Sequence, residues 1–212
     1  MDPLQIVSGI TFYVVFLFAI SVHESAHAWT ALQMGDETAA RLGRISLNPL
    51  VHIDPIGTVV MPLLMFFTHA PLIGWAKPTP VNPGNFRKLA RGQLLVSAAG
   101  PASNFILAAL LTVLWVVVVR TPLAQSRPVI NILYQAVVIN VILGAFNLIP
   151  VPPLDGSWIA SWGLPRNIAR YYDRIAEPYG MWILLGLLVT GVLGLILAPF
   201  LTITDTVLRA LA

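Results

Sequence analysis

Residues 4–28 read LQIVSGITFYVVFLFAISVHESAHA, and this stretch decides the fold. From Leu4 to Ile20 it is almost wholly apolar, which predicts a membrane-spanning helix continuing through Met34. The run ends in His23-Glu24-Ser25-Ala26-His27. On a helix, positions i and i+4 lie one above the other, so His23 and His27 present two imidazoles to a single ion. Glu24 stands beside them, able to take a proton from metal-activated water. Ser25 and Ala26 are small and leave the neighbouring surface open to a packed helix or a substrate. The plain alternative is two buried histidines and a glutamate satisfied by hydrogen bonds. Ionisable groups at membrane depth are costly and usually functional, which favours the metal site.

The 212 residues are 57% apolar and 10% charged, where a soluble domain carries about a quarter of charged residues. This composition implies an all-α membrane protein, a polytopic helix bundle within the lipid bilayer. The length suits one integral membrane domain over residues 1–212. The net charge of +3 is small, with basic residues between apolar runs. That pattern suits membrane topology rather than nucleic-acid binding. Without cysteine the chain has neither disulfides nor thiolate metal ligands. Met1-Asp2-Pro3 lacks a basic n-region, so the first segment is not expected to be a cleavable signal peptide.

Further apolar segments run over Ile56 to about Trp75, Gln93 to Val119, Val129 to Ile149 and Tyr179 to Phe200. Turn signals between Gly35 and Asp54 suggest short extended pieces there, and Gly163 to Pro178 reads as an amphipathic interfacial helix. The segment after Ile56 sets the topology. A full crossing divides the basic residues almost evenly. A re-entrant path, in as a helix and out extended to about Pro80, gathers nine on one side: Arg41, Arg44, Lys77, Arg87, Lys88, Arg91, Arg166, Arg170 and Arg174. Only Arg120, Arg127 and Arg209 then face the other way. The positive-inside rule favours this split, with the richer side cytoplasmic and the N-terminus external. It leaves four full spans, and places His27 and Asp155 at similar depth.

Zinc needs a third protein ligand and, when catalytic, an open fourth position. The candidates are Asp155, His52, His69, Asp54 and Glu177. Asp155 is the best placed, because Pro150, Pro152 and Pro153 break the preceding helix and Gly156 permits a sharp turn. A helix N-cap for Ser157 onward is an equally common role for such a residue. His52, Asp54 and His69 are retained only as residues around the site. Asn104 and Asn147 are the uncharged amides near membrane depth that could donate to a developing oxyanion, and interhelical hydrogen bonding competes for each. For Asn104, beside Gly100-Pro101, the structural role is favoured; for Asn147, beside the proline break, the catalytic one.

His23-Glu24-Ser25-Ala26-His27, Gly100-Pro101-Ala102-Ser103-Asn104 and Asn147-Leu148-Ile149-Pro150-Val151-Pro152-Pro153-Leu154-Asp155-Gly156 together resemble the three motifs of the site-2 protease family of intramembrane zinc metalloproteases. The resemblance covers about Phe16 to Trp158. It implies zinc, one ion per chain, on His23, His27 and Asp155, with Glu24 as general base and Asn147 positioning substrate or stabilising the oxyanion. It also implies a catalytic core over about 4–158, followed by the C-terminal helix and span over 163–212. Gly74, Trp75, Ala76, Lys77, Pro78, Thr79, Pro80 and Val81 resemble the family's membrane-inserted edge strand, which holds an unwound transmembrane protein substrate by strand addition. No PDZ-like or CBS-like insertion is present, as in the compact subgroup. The expected setting is a prokaryotic cell membrane, with the site nearer the cytoplasmic face. A divalent-metal transporter or sensor using the same ligands is the competing reading, but transport favours ligand clusters repeated on several helices, and this chain has one compact set.

Overall fold

A computed structural model describes residues 3–68 and 74–212. Its long helices are α1 (Pro3–Met34), α4 (Leu89–Val118), α5 (Arg127–Asn147), α7 (Arg166–Val189) and α8 (Val192–Leu211). Shorter ones are α2 (Thr38–Arg41), α3 (Met61–Thr68) and α6 (Asp155–Gly163), and no strand occurs among the described residues. Among the described residues, four segments are long and apolar enough to span a bilayer: Ile6–Met34, Leu89–Val118, Arg127–Asn147 and Val192–Leu211. The protein is an integral membrane helix bundle.

Polarity runs inward. On α4 the exposed stripe is Ile106, Leu110, Val113 and Val117, a lipid-facing face at helical spacing. Its opposite face buries Val96, Gly100, Asn104 and Ala108. Small residues, Ala19, Ala28 and Ala31 of α1 and Ala136 and Ala145 of α5, are buried where helices meet. Lipid is as apolar as leucine, so close backbone approach and interhelical hydrogen bonds replace burial as the glue.

The segment after Asp54 is re-entrant. Asp54 caps it by accepting from Ile56 N (3.0 Å) and Gly57 N (2.7 Å), and a π-helix over Pro55–Val60 runs into α3. Fourteen helical residues rise at most about 21 Å, too short for a hydrocarbon core of about 30 Å. The chain then returns to its own start: Trp75 N donates to the Gly57 carbonyl at 3.2 Å, and the Thr58 hydroxyl to the Trp75 carbonyl at 2.9 Å. The segment's exit continues beside the end of α1, where Lys77 N donates to the His52 carbonyl at 2.9 Å.

Two expectations are corrected. The pieces between Gly35 and Asp54 are helical turns, Thr38–Arg41 and Pro49–His52, rather than extended segments. The final span is Val192–Leu211, not Tyr179 to Phe200, and the expected interfacial helix continues through Pro178 as α7 to Val189. The break falls at Gly191, whose φ of +77° suits glycine. Hydropathy rises well before that turn and misplaced the boundary. Leu208 of α8 packs with Trp115, Val118, Leu133 and Val137, so α8 ends at the level where α4 ends and α5 begins.

Beneath the site, Asp36 ties α1 to the loop before α4. The fully buried carboxylate accepts from Thr38 N (3.1 Å), Asn82 N (2.7 Å), Asn85 Nδ2 (2.8 Å) and the Thr38 hydroxyl. Burial alone would raise its pKa, but these donors outweigh burial and hold it below the ordinary aspartate value. A lowered folded pKa gives stability that is present above the unfolded value and lost as pH falls through the folded one. Asp36→Asn is expected to cost about 1–3 kcal/mol near neutral pH, since buried donors lose their acceptor. Thermal unfolding in detergent checks this, and the gap from wild type should close below about pH 4.

Candidate active site

His23 and His27 emerge on one face of α1, about 26 and 32 Å along the span from Ile6 at 1.5 Å per residue. Both are buried. After α5 ends at Asn147, the proline-rich turn leads to α6, whose first residue is Asp155. Asp155 is not the N-cap, which is Leu154. Its Oδ2 instead lies 3.1 Å from His23 Nε2 and 3.3 Å from His27 Nε2, and the two Nε2 atoms are 3.0 Å apart. Three side chains from distant parts of the chain thus converge within 4.8 Å.

The protonation pattern tests whether this cluster suits a cation. His23 Nδ1 lies 2.6 Å from Asn104 Oδ1, and His27 Nδ1 lies 2.7 Å from the Val96 carbonyl. Both partners are acceptors, so both Nδ1 atoms carry a proton, and in the neutral rings both Nε2 atoms present bare lone pairs. Asp155 Oδ2 is buried and has no hydrogen-bond donor. Three lone-pair-bearing atoms with no proton among them repel one another unless a cation sits between them. Two imidazoles and one carboxylate suit zinc and leave a fourth position open.

Gly100 is the wall behind the imidazoles. A Cβ there would overlap Nε2 of both His23 and His27. The next residue, Pro101, has no N–H to offer the Ser97 carbonyl one turn earlier. The Gly-Pro pair therefore lets α1 and α4 approach to imidazole contact.

The cluster opens onto a cavity of about 350 Å³ lined by Glu24, Asn147, Thr79, Gln93, Ser97 and Trp158, besides the three ligand-type residues. Glu24 is held from the side. Thr79 N donates to Glu24 Oε2 at 2.8 Å, and the Thr79 hydroxyl lies 2.7 Å from the same oxygen and 3.0 Å from the Glu24 carbonyl. Asn147 spends one amide hydrogen on the Leu143 carbonyl at 3.0 Å and keeps the other.

Other expected site residues are elsewhere. Asn104 is fully buried behind His23, and its Nδ2 donates to the Ala19 carbonyl (3.2 Å) and Asn140 Oδ1 (2.9 Å). With both hydrogens committed it has none for an oxyanion, which corrects its catalytic candidacy. Within Gly74 to Val81, only Pro78, Thr79 and Val81 line the cavity. Ala76 is core, packed with Phe16, Ala19, Ile20 and Ile139, and Trp75 stacks on Gly57. His52 bonds the Ser46 carbonyl at 2.8 Å, Asp54 is a cap, Glu177 lies exposed on α7, and His69 lies outside the described residues. Sequence reading missed Gln93, Ser97 and Trp158 on the cavity wall, Thr79's grip on Glu24, and Asn140. Only Asn140, an amide inside an apolar span, carries a signal that could have been seen.

Gly100→Ala is expected to lower bound zinc at least tenfold, because the added methyl takes the space of both ring nitrogens. Metal analysis of the purified protein checks this; full occupancy would mean the helices shift apart without cost.

A sequence profile of peptidase family M50 matches residues 115–190. The putative zinc metalloprotease YwhC of Bacillus subtilis is 35% identical over 201 residues, covering 92% of this chain and 88% of the relative. Rip2 of Mycolicibacterium smegmatis, named in the same way, is 30% identical over 182 residues, covering 84% of this chain and 66% of the relative. No solved structure matches. The chain therefore belongs to peptidase family M50, the site-2 protease family of zinc metalloproteases.

Proposed function

We propose that this metalloprotease cleaves a peptide bond in or near the transmembrane helix of a membrane-protein substrate. One observation carries the reading: Glu24, Asn147 and the His23–His27–Asp155 cluster open onto one cavity whose rim is the exit of the re-entrant segment. A peptide bond inside a transmembrane helix has its carbonyl engaged and shielded from water. Hydrolysis there needs local unwinding, a water and a base. The cavity is roomy enough for an extended segment and a water beside Glu24.

His23, His27 and Asp155 are the residues that would hold the zinc. When bound, zinc polarises the scissile carbonyl and acidifies water. Glu24 accepts the proton of the attacking water and returns it to the departing amine. Thr79 fixes Oε2 of that carboxylate and leaves Oε1 to turn towards the cavity. Asn147 donates its remaining amide hydrogen to the carbonyl oxygen as charge develops. The substrate lies extended along Pro78 to Val81. Pro78 and Pro80 carry no N–H and that of Thr79 is spent on Glu24, so carbonyls of this chain grip the substrate's N–H groups. Between Pro78 and Pro80 the substrate's carbonyls then meet no free N–H and can turn to Asn147, and Val81 is the one residue of the edge whose N–H is left to hold a substrate carbonyl.

The catalytic core runs over about 4–158, and residues 163–212 complete the same membrane domain. Arg44, Lys77, Arg87 and Lys88 gather near the site end of α1, and Arg120 and Arg127 flank the far turn between α4 and α5. The positive-inside rule then puts the site towards the cytoplasm of a prokaryotic cell and the N-terminus outside.

Glu24→Gln is expected to keep its zinc while cleavage of membrane peptides falls about 10²–10⁴-fold, the usual share of a general base. Unchanged cleavage would remove Glu24 from the chemistry. The chain has no native cysteine, so exposed Lys88→Cys and Arg120→Cys report topology directly. Membrane-impermeant thiol reagents should reach the first only from the cytoplasmic face and the second only from outside. The reverse pattern would invert the orientation.

A further inference from the structure

We infer that Asn140, which touches neither the cavity nor any metal-ligand candidate, is a positioning residue that sets the tautomer of His23 through Asn104. This rests on the reading of His23 as a zinc ligand. The chain of bonds starts at a backbone carbonyl of α5 and ends at a lone pair in the site. Asn140 Nδ2 donates to the Ala136 carbonyl at 2.8 Å. A carbonyl can only accept, so the other terminal atom of Asn140 is its oxygen. That oxygen accepts from Asn104 Nδ2 at 2.9 Å, and the Ala19 carbonyl accepts from the same nitrogen at 3.2 Å. Asn104 therefore turns its oxygen to His23 Nδ1, 2.6 Å away, and Nδ1 holds the proton.

The opposite orientation of Asn104 would reverse the outcome. Its NH₂ would face His23 Nδ1, the ring proton would move to Nε2, and that nitrogen could no longer ligate. Asn140 and Ala19 both oppose this flip, because the Asn104 oxygen would then meet two other acceptors. Asn104 and Asn140 are 0% and 1% exposed, so no water replaces either bond. His27 needs no such relay, since the Val96 carbonyl fixes its Nδ1 directly. The two ligand imidazoles are thus set by different means, and only that of His23 depends on side chains two bonds removed.

The test compares zinc affinity by chelator competition in the purified protein, for wild type, Asn140→Leu and Asn140→Asp. Asn140→Leu keeps the branched shape and removes the acceptor, and its zinc dissociation constant should rise about 10–100-fold, the usual effect of losing an outer partner of a metal ligand. Asn140→Asp should bind zinc as wild type does, because a protonated carboxyl offers a hydroxyl donor to the Ala136 carbonyl in place of the amide N–H and keeps the oxygen acceptor for Asn104. Equal affinity in all three would overturn the relay, and so would an equal fall in both variants, which would mark a packing effect. If Asn140→Leu does not fold, nitrogen-15 NMR of zinc-free wild type labelled at histidine decides the matter. The His23 ring should appear as the Nδ1–H tautomer, and an Nε2–H ring would overturn the inference. His23→Ala that binds zinc as tightly as wild type would instead overturn the ligand assignment itself.

Discussion

Two imidazole nitrogens and a carboxylate oxygen pointed at one point, three lone pairs when the rings are neutral, are the constraint on which the rest of this structure depends. His23 Nε2, His27 Nε2 and Asp155 Oδ2 are 3.0–3.3 Å apart, and each is fixed from behind by something other than its neighbours. The Val96 carbonyl and Asn104 hold the rings, and the first turn of α6 carries the carboxylate. A cluster of acceptors inside a bilayer is unfavourable by itself; the packing of the bundle holds it in place, and a divalent cation relieves it.

The architecture follows from meeting that constraint in lipid. Irregular backbone is tolerated at membrane depth only where protein buries it or where it lines a wet cavity. The re-entrant segment satisfies this by folding back on itself at Gly57–Trp75 and then bonding its N–H groups to the His52 carbonyl and the Glu24 carboxylate. The proline break after α5 does the same through Tyr172, whose hydroxyl donates to the Pro150 carbonyl at 2.8 Å. Both departures from helix end at the same cavity. Gly100 makes the arrangement possible, since any side chain there would occupy the space of the imidazole nitrogens.

Much of this was legible in the residues. The i, i+4 histidines, the carboxylate after the proline break and the lopsided placement of basic residues report on geometry that depends only on helical period and membrane topology. The re-entrant path was readable because charge counts distinguish a loop from a crossing. The last span was not: α7 passes through Pro178 without ending, and apolarity begins about three turns before the true break at Gly191. Asn147 and Asn104 were separated by their neighbours, Asn104 beside Gly100-Pro101 reading as structural and Asn147 beside the proline break as a site residue. The packing of α1, α4 and α5 puts Asn147 on the cavity and Asn104 behind a ring. Thr79 read as part of a substrate edge, yet its N–H and hydroxyl face Glu24, a contact between residues 55 apart that no local pattern encodes.

X-ray absorption at the zinc edge, on the purified, zinc-loaded protein, tests the shared metal centre most directly. The expected spectrum has two imidazole nitrogens at about 2.0–2.1 Å and oxygen ligands at about 2.0–2.2 Å, and it loses one oxygen and most of the bound metal in Asp155→Ala. A spectrum with one imidazole or three, or one unchanged when Asp155 is removed, would contradict a centre built from His23, His27 and Asp155.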